Sequence, residues 1–176
     1  MNAPWKEGRL QVYTGDGKGK TTAALGLALR AAGAGARVFF AQFIKGIKYN
    51  EIRALERFDD LITVRQYGRG CFIRNAPTDA DKQAAMAGLR EARQVLESGE
   101  YPMVILDEAN VATHFGLFPV EELLNLIHAR PNHVELILTG RRADPRVIEQ
   151  ANLVTEMREI RHYYAEGLEA RDGIER

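Results

Sequence analysis

A glycine-rich stretch ending in Lys-Thr carries the clearest chemical pattern in the sequence. A β-like run, residues 10–14, precedes it and a helix-like run, residues 23–32, follows it. Glycines permit a tight turn whose N–H groups face a polyphosphate, a lysine reaches the phosphates and a threonine hydroxyl binds Mg²⁺. We therefore predict a phosphate-binding loop formed by Gly15, Asp16, Gly17, Lys18, Gly19, Lys20, Thr21 and Thr22.

The spacing of this loop departs from the usual motif. In G-x-x-x-x-G-K-[ST], the residues Gly19, Lys20 and Thr21 match, but the first glycine position falls on Thr14 and Gly15 comes one residue later. The loop is therefore a variant. The alternative is a glycine-rich turn that binds no ligand.

An acidic pair follows an apolar run further along the chain. The segment Val104-Ile105-Leu106 precedes Asp107 and Glu108, which places a carboxylate at the end of a buried strand. There it can hold Mg²⁺ directly or through water. The spacing does not distinguish the two carboxylates, and the alternative is an acidic helix cap or a surface charge.

Other polar residues follow the remaining predicted strands. Ligands of parallel α/β sheets bind beyond the carboxyl ends of the strands, so we expect these residues to meet at one rim. Arg141 and Arg142 suit phosphate oxygens, because guanidinium groups bind them bidentately; the alternative is a solvated turn. Lys45 and Lys18 are expected near the nucleotide.

Short apolar strands alternate with helical segments along the chain, which predicts a parallel α/β sheet. Strands are expected at residues 10–14, 37–43, 61–66, 103–106, 134–139 and 153–157. Helices are expected from about residue 21, at 51–58, after Thr78, at about 119–129 and at 145–150. Residues 67–77 form a long loop, of the kind that is usually functional or mobile.

Length and composition limit the classes of protein. The 176 residues suit one domain, 1–176, in which residues 1–8 are a flexible arm unless Trp5 docks. Lys plus Arg equals Asp plus Glu at 24 each, which gives no electrostatic reason to expect a nucleic acid or membrane partner. The single cysteine, Cys71, excludes an intrachain disulfide. Without an apolar signal region or membrane span, a cytoplasmic protein is expected.

Other catalytic arrangements find little support. The four histidines have no metal-ligand spacing and are expected to be surface or packing residues. Neither a Ser-His-Asp nor a Cys-His arrangement is recognisable. This argues against covalent catalysis by the protein itself.

In combination, these segments resemble the P-loop corrinoid adenosyltransferases, from about residue 8 to the end. The phosphate loop alone is unspecific, but the order and separation of the matching segments are specific. They are residues 13–24, Gln42-Phe43-Ile44-Lys45-Gly46, residues 104–108, Ala129-Arg130-Pro131, Leu138-Thr139-Gly140-Arg141, Thr155-Glu156-Met157, His162 and Gly173-Ile174-Glu175.

The resemblance implies a RecA-like P-loop fold, a mostly parallel sheet flanked by helices on both faces, and a homodimer. It implies ATP and a reduced corrinoid as substrates, with the 5′-deoxyadenosyl group passing to cobalt and triphosphate leaving. The triphosphate is expected to lie in the loop in the reverse sense to P-loop kinases. By similarity, Lys20, Thr21 and Glu108 are catalytic, Thr21, Glu108 and Asp107 bind Mg²⁺, and Arg141 joins the loop in binding ATP.

The long loop of residues 67–77 departs from the family pattern. Members often carry Gly-Phe-x-Trp after strand three, where aromatic rings press on the corrin and displace its lower ligand. Here the stretch reads Gly70-Cys71-Phe72-Ile73, so Phe72 is shifted by one residue and Ile73 occupies the tryptophan position. The resemblance implies Phe72, Ile73 and Lys45 as corrinoid contacts and a reducing flavoprotein as a partner. The alternative for Phe72 is core packing.

Two other functions compete with this interpretation. The first is a P-loop nucleotide kinase or ATPase, although a thymidine-kinase-like enzyme is disfavoured because a cysteine zinc site is missing. The second is a regulator that binds nucleotide without catalysis. The intact Lys-Thr pair and the acidic pair disfavour it.

Overall fold

The computed structural model describes residues 4–70 and 76–175. Its centre is a six-stranded sheet in the order β3-β2-β4-β5-β1-β6, and every adjacent pair is parallel. The strands are β1 (Leu10–Thr14), β2 (Val38–Gln42), β3 (Ile62–Gln66), β4 (Met103–Asp107), β5 (Glu135–Thr139) and β6 (Leu153–Glu156). The predicted parallel α/β class is confirmed.

Helices cover both faces of this sheet. They are α1 (Lys20–Gly33), α2 (Asn50–Leu55), α3 (Asp79–Ser98), α4 (Ala109–His114), α5 (Val120–His128) and α6 (Pro145–Gln150), with 3-10 helices at Glu56–Phe58 and Tyr163–Glu166. Buried side chains of α1 and α2 pack on one face and those of α3 to α6 on the other. Strands covered on both sides explain the continuous apolar runs.

The sequence prediction was right for most elements, but it missed one helix and did not foresee the exposure of one strand. Helix α4 was not expected, although it follows the acidic pair directly. Strand β6 was predicted and is present, but all four of its residues are exposed, because it lies at the edge of the sheet beyond β1.

The N-terminal arm is attached to the sheet at Trp5. The indole Nε1 of Trp5 donates a hydrogen bond to the carbonyl oxygen of His133 at 3.0 Å, and its ring packs against the cluster on the α1 side. The arm therefore docks in the way that the sequence left open. In residues 4–70 and 76–175, no helix is long and apolar enough to cross a membrane.

Candidate nucleotide site

The register of three neighbouring strands lines up polar side chains at the carboxyl edge of the sheet. Gln42, the last residue of β2, is the partner of Asp107, the last residue of β4. Leu106 pairs with Leu138 of β5, so Thr139 stands beside Asp107 on the other side. All three side chains are fully buried.

Asp107 is the centre of a hydrogen-bond network that reaches the phosphate loop. Its Oδ1 accepts from the hydroxyls of Thr21, at 2.9 Å, and Thr139, at 2.6 Å. Its Oδ2 accepts from Nε2 of Gln42 at 2.9 Å. A buried carboxylate needs such donors to be tolerated, and this set fixes the start of α1 relative to β4.

Lys20 is buried inside the phosphate loop. Its Nζ donates to the carbonyl oxygens of Gly15, at 2.7 Å, and Gly17, at 2.6 Å. Burial, and then the positive charge of Arg141, lower the pKa of Lys20 below its ordinary value. The ammonium group therefore lies at the centre of the turn, where a phosphate chain would be held.

The loop glycines are required by the backbone that follows β6. Gly15 has a φ of +92°, and a Cβ there would come within 2.4 Å of the Met157 carbonyl oxygen. A Cβ on Gly17 would come within 2.8 Å of that same oxygen and of the Arg158 carbonyl carbon, and the Gly17 N–H donates to Met157 O at 2.7 Å. The end of β6 therefore shapes the loop.

Glu108 follows the network and takes a strained conformation. Its φ of 61° is left-handed, which is uncommon for a residue with a side chain. Burial, and next the charge of Asp107, raise the pKa of the Glu108 carboxyl above its ordinary value, although Lys45 and Lys20 act in the opposite direction. Two carboxylates held close together in this way favour a nearby cation.

Left-handed backbone at residues other than glycine recurs at this edge of the sheet. Within the described ranges it occurs at Ile44, with φ 69°, at Glu108 and at Arg142, with φ 59°, which follow β2, β4 and β5. Such conformations cost about 1–3 kcal/mol each and cluster at functional sites. All three residues line the same cavity.

This cavity has a volume of about 1240 Å³. Phosphate-loop residues 16–22 form one wall, and Lys45, Glu108, Arg141 and Arg142 approach from the neighbouring strand ends. The predicted meeting of polar groups at one rim is thus present in the geometry. The volume exceeds that of most small-ligand pockets, about 300–1,000 Å³, and so has room for more than a nucleotide.

The residues present suit a magnesium ion. Mg²⁺ prefers oxygen ligands, needs only one or two carboxylates and keeps several waters. Thr21 and Asp107 are hydrogen-bonded to one another, Glu108 is adjacent, and the oxygens of Asp107 already accept three protein hydrogen bonds. No group of three His, Cys, Asp or Glu side chains that could hold a metal ion occurs in the described residues.

Sequence reasoning gave no site role to one wall of the cavity, although residues of that wall are among the segments that match the family. It is supplied by the C-terminal segment, including His162, which was expected to be a surface or packing residue, and by residues 173–175. We call residues 163–175 the strap. His114 and Phe115, at the end of the unexpected helix α4, also line the cavity.

Two predicted contacts lie outside the described residues. Phe72 and Ile73, expected at the corrinoid, fall in residues 71–75, as does Cys71. Of the other predicted residues, Lys18 directs its Nζ to the strap rather than into the turn. Oδ1 of Asp16 lies 4.0 Å from Nε of Arg142 across the mouth of the loop.

A parallel sheet with a phosphate loop after β1, a buried lysine in the loop and a carboxylate at the end of β4 defines a P-loop nucleotide-binding protein. The model of the family ATP:corrinoid adenosyltransferase BtuR/CobO/CobP matches residues 6–176. The chain belongs to this family.

Named relatives agree with that assignment. The chain is 36% identical to "Corrinoid adenosyltransferase CobA" of Salmonella typhimurium over 97% of its own length and 86% of the relative's. It is 35% identical to a corrinoid adenosyltransferase of Pseudomonas aeruginosa, over 97% and 84% of the two lengths. A corrinoid adenosyltransferase of Escherichia coli is 34% identical, over 97% and 86%.

Proposed function

We propose that the protein transfers the 5′-deoxyadenosyl group of ATP to the cobalt of a Co(I) corrinoid, in adenosylcobalamin biosynthesis or salvage. The electron pair of Co(I) forms the bond to C5′ of the ribose, and the C5′–O bond breaks. Inorganic triphosphate leaves with the electron pair of the broken C5′–O bond. The observation that carries the proposal is the phosphate loop closed around Lys20, in a chain of this family.

The substrate supplies the nucleophile, so the protein must orient the reactants and stabilise the leaving group. We assign the triphosphate to the N–H groups of the loop and to Lys20, with Arg141 at its open side. Lys20 is already desolvated, so its charge acts on the triphosphate with little screening by water.

We assign Mg²⁺ to Thr21 and Glu108, with Asp107 in support. The ion would neutralise part of the negative charge of the triphosphate. The protein's own contribution is to hold the Thr21 hydroxyl against Asp107 and to keep Glu108 beside it, so that few groups need to move when the ion binds.

The corrinoid is assigned to the side of the cavity near Lys45, with Phe72 and Ile73 in contact with it. Phe72→Ala should then slow adenosylation that starts from Co(II) more than adenosylation of chemically pre-reduced Co(I), because an aromatic ring that displaces the lower ligand makes Co(II) easier to reduce. Phe58→Ala, an exposed phenylalanine, is the control. Equal losses with both cobalt states would contradict this role.

Several further properties are part of the same proposal. We propose that residues 1–176 form one domain, that two chains form a homodimer, that a flavoprotein supplies the electron and that the enzyme works in the cytoplasm. Sedimentation of the purified chain tests the homodimer directly.

One assay distinguishes this function from a kinase or ATPase. The protein is incubated with ATP, Mg²⁺ and chemically reduced cobalamin, and both the corrinoid and the phosphate products are analysed. A light-sensitive Co–C product in equal amount to inorganic triphosphate is expected. Release of ADP or phosphate without alkylated corrinoid would overturn the proposal.

A further inference from the structure

The strap folds back over the phosphate loop and is held there by Lys18. The Nζ of Lys18 donates to the hydroxyl of Tyr163 at 3.0 Å and to the carboxylate of Glu175 at 2.7 Å, with the Ile174 carbonyl oxygen at 3.3 Å. All three acceptors belong to the strap. The two lysines of the loop therefore differ: Lys20 points into the turn and Lys18 points away from it.

Glu175 is the centre of this contact. Besides Lys18, its carboxylate accepts hydrogen bonds from the Tyr163 hydroxyl and from Arg171, whose backbone N–H is 2.8 Å away. These partners lower the pKa of Glu175, Arg171 most of all. The Glu175 side chain is only 15% exposed. An exposed ion pair contributes little, but a carboxylate shared by several charged donors is held much more firmly.

A second contact joins the strap to helix α2. The Nδ2 of Asn50 donates to Oδ1 of Asp172 at 2.7 Å. Asn50 and Lys18 both line the cavity, as do residues 173–175 of the strap itself. The strap thus connects the loop after β1 to the helix after β2 and forms a wall of the cavity between them.

We propose that Glu175 is a positioning residue of the nucleotide site, which fastens the strap to the phosphate loop through Lys18 so that the strap covers bound ATP. The inference rests on the proposed function only in placing ATP in this cavity. Glu175 itself does not contact the reacting atoms. Loosening the strap should therefore speed the dissociation of ATP and raise its KM, while kcat stays nearly unchanged.

The first experiment measures ATP binding by calorimetry, with Mg²⁺ and without corrinoid. Glu175→Gln keeps the size of the side chain and removes its charge, and the Kd for ATP should rise about tenfold, as expected for a lost charge-assisted hydrogen bond. Glu97→Gln is the matched control, because Glu97 accepts from Arg93 at 2.8 Å on the exposed face of α3, and its Kd should equal that of the wild type.

A double-substitution cycle tests the route through Lys18. Lys18→Met, Glu175→Gln and the combined variant are compared in the same binding assay. If Glu175 acts through Lys18, the Kd of the double variant for ATP should not exceed the higher of the two Kd values of the single variants. Additive losses would show that the two side chains act separately and would overturn the route.

Proteolysis follows the strap directly. Trypsin should cut after Arg171 slowly in the wild type, still more slowly with ATP, and faster in Glu175→Gln. Asp172→Asn, at the Asn50 contact, should give a smaller change in the same direction, and circular dichroism confirms that each variant is folded. A folded Glu175→Gln variant with wild-type Kd and cutting rate would overturn the strap proposal. A wild type that binds no ATP would instead overturn the proposed function.

Discussion

Lys20 is the side chain whose removal should affect the phosphate loop most directly. It is buried and bonded to two carbonyl oxygens of the turn, in a position where a triphosphate would replace those partners. Lys20→Ala should lower the rate of adenosylation on the order of 10²-fold or more, as losing one such electrostatic contact does in other sites. The product is followed by the absorbance change at the cobalt.

Lys82→Ala is the control for that measurement, since Lys82 is an exposed lysine of α3. It should turn over at the wild-type rate. Near-normal turnover of Lys20→Ala would mean that the loop does not hold the leaving group.

Glu108 should limit the stability of the ligand-free protein. Its folded pKa is raised, so the contribution of Glu108 to stability is greatest below the ordinary pKa of glutamate and is lost as pH rises through the folded value. At neutral pH, Glu108→Gln should therefore melt higher than the wild type, by about 2–4 °C for each 1 kcal/mol gained. The same variant should lose adenosylation.

Thermal melts at pH 4 and pH 7 provide the measurement, with the exposed Glu100→Gln as the control. The rise in melting temperature caused by Glu108→Gln should be smaller at pH 4, where Glu108 in the wild type is protonated. A melting temperature that falls at pH 7 would show that Glu108 stabilises the site rather than straining it.

Helix α3 begins with a reciprocal cap that can be tested alone. Thr78 Oγ1 accepts from the N–H of Asp81 at 3.2 Å, and the Asp81 carboxylate accepts from the N–H of Thr78 at 3.0 Å. Thr78→Ala should destabilise the protein by about 1 kcal/mol. Thr78→Ser keeps the hydroxyl and should cost much less.

The pH dependence of this cap has the opposite sign to that of Glu108. Hydrogen bonds from Thr78 lower the pKa of Asp81, so the stabilisation is present above the ordinary pKa of aspartate, about 3.9, and is lost as pH falls through the lower folded value. The difference in unfolding free energy between Thr78→Ala and the wild type, measured with denaturant, should therefore shrink in acid. A constant difference down to pH 2 would exclude the carboxylate's part.

The elements that the sequence predicted are those with local patterns. In the segment predicted to be helical after Thr78, Ala85, Leu89, Ala92 and Leu96 recur at helical spacing, and each of these residues is buried in α3. Helix α4 was missed because it has six residues and starts from a left-handed Glu108, which neither periodicity nor capping residues announce. The strap shows no apolar periodicity in the sequence. Charged side chains hold it to residues more than a hundred positions away, and a local pattern does not reveal such contacts.

The whole molecule should respond to its nucleotide through linkage. ATP at about 100 times its Kd should stabilise the folded chain by about 2.7 kcal/mol, which corresponds to roughly 5–11 °C in Tm for a protein of this size. Differential scanning fluorimetry with ATP and Mg²⁺ measures it, and tripolyphosphate alone should give a smaller shift. An unchanged Tm at saturating ATP would argue that the cavity binds something else.

Strand β1 lies between β5 and β6, so the first strand of this sheet in chain order pairs only with the last two. At about 5–20 residues per second, β5 is made on the order of ten seconds after β1. During that interval Leu10 and Val12, which are fully buried in the folded protein, have no strand beside them. The turn at Gly15 and Gly17 also rests on Met157 and Arg158. The phosphate loop of a nascent chain therefore cannot take its final shape until the residues that follow β6 have been made.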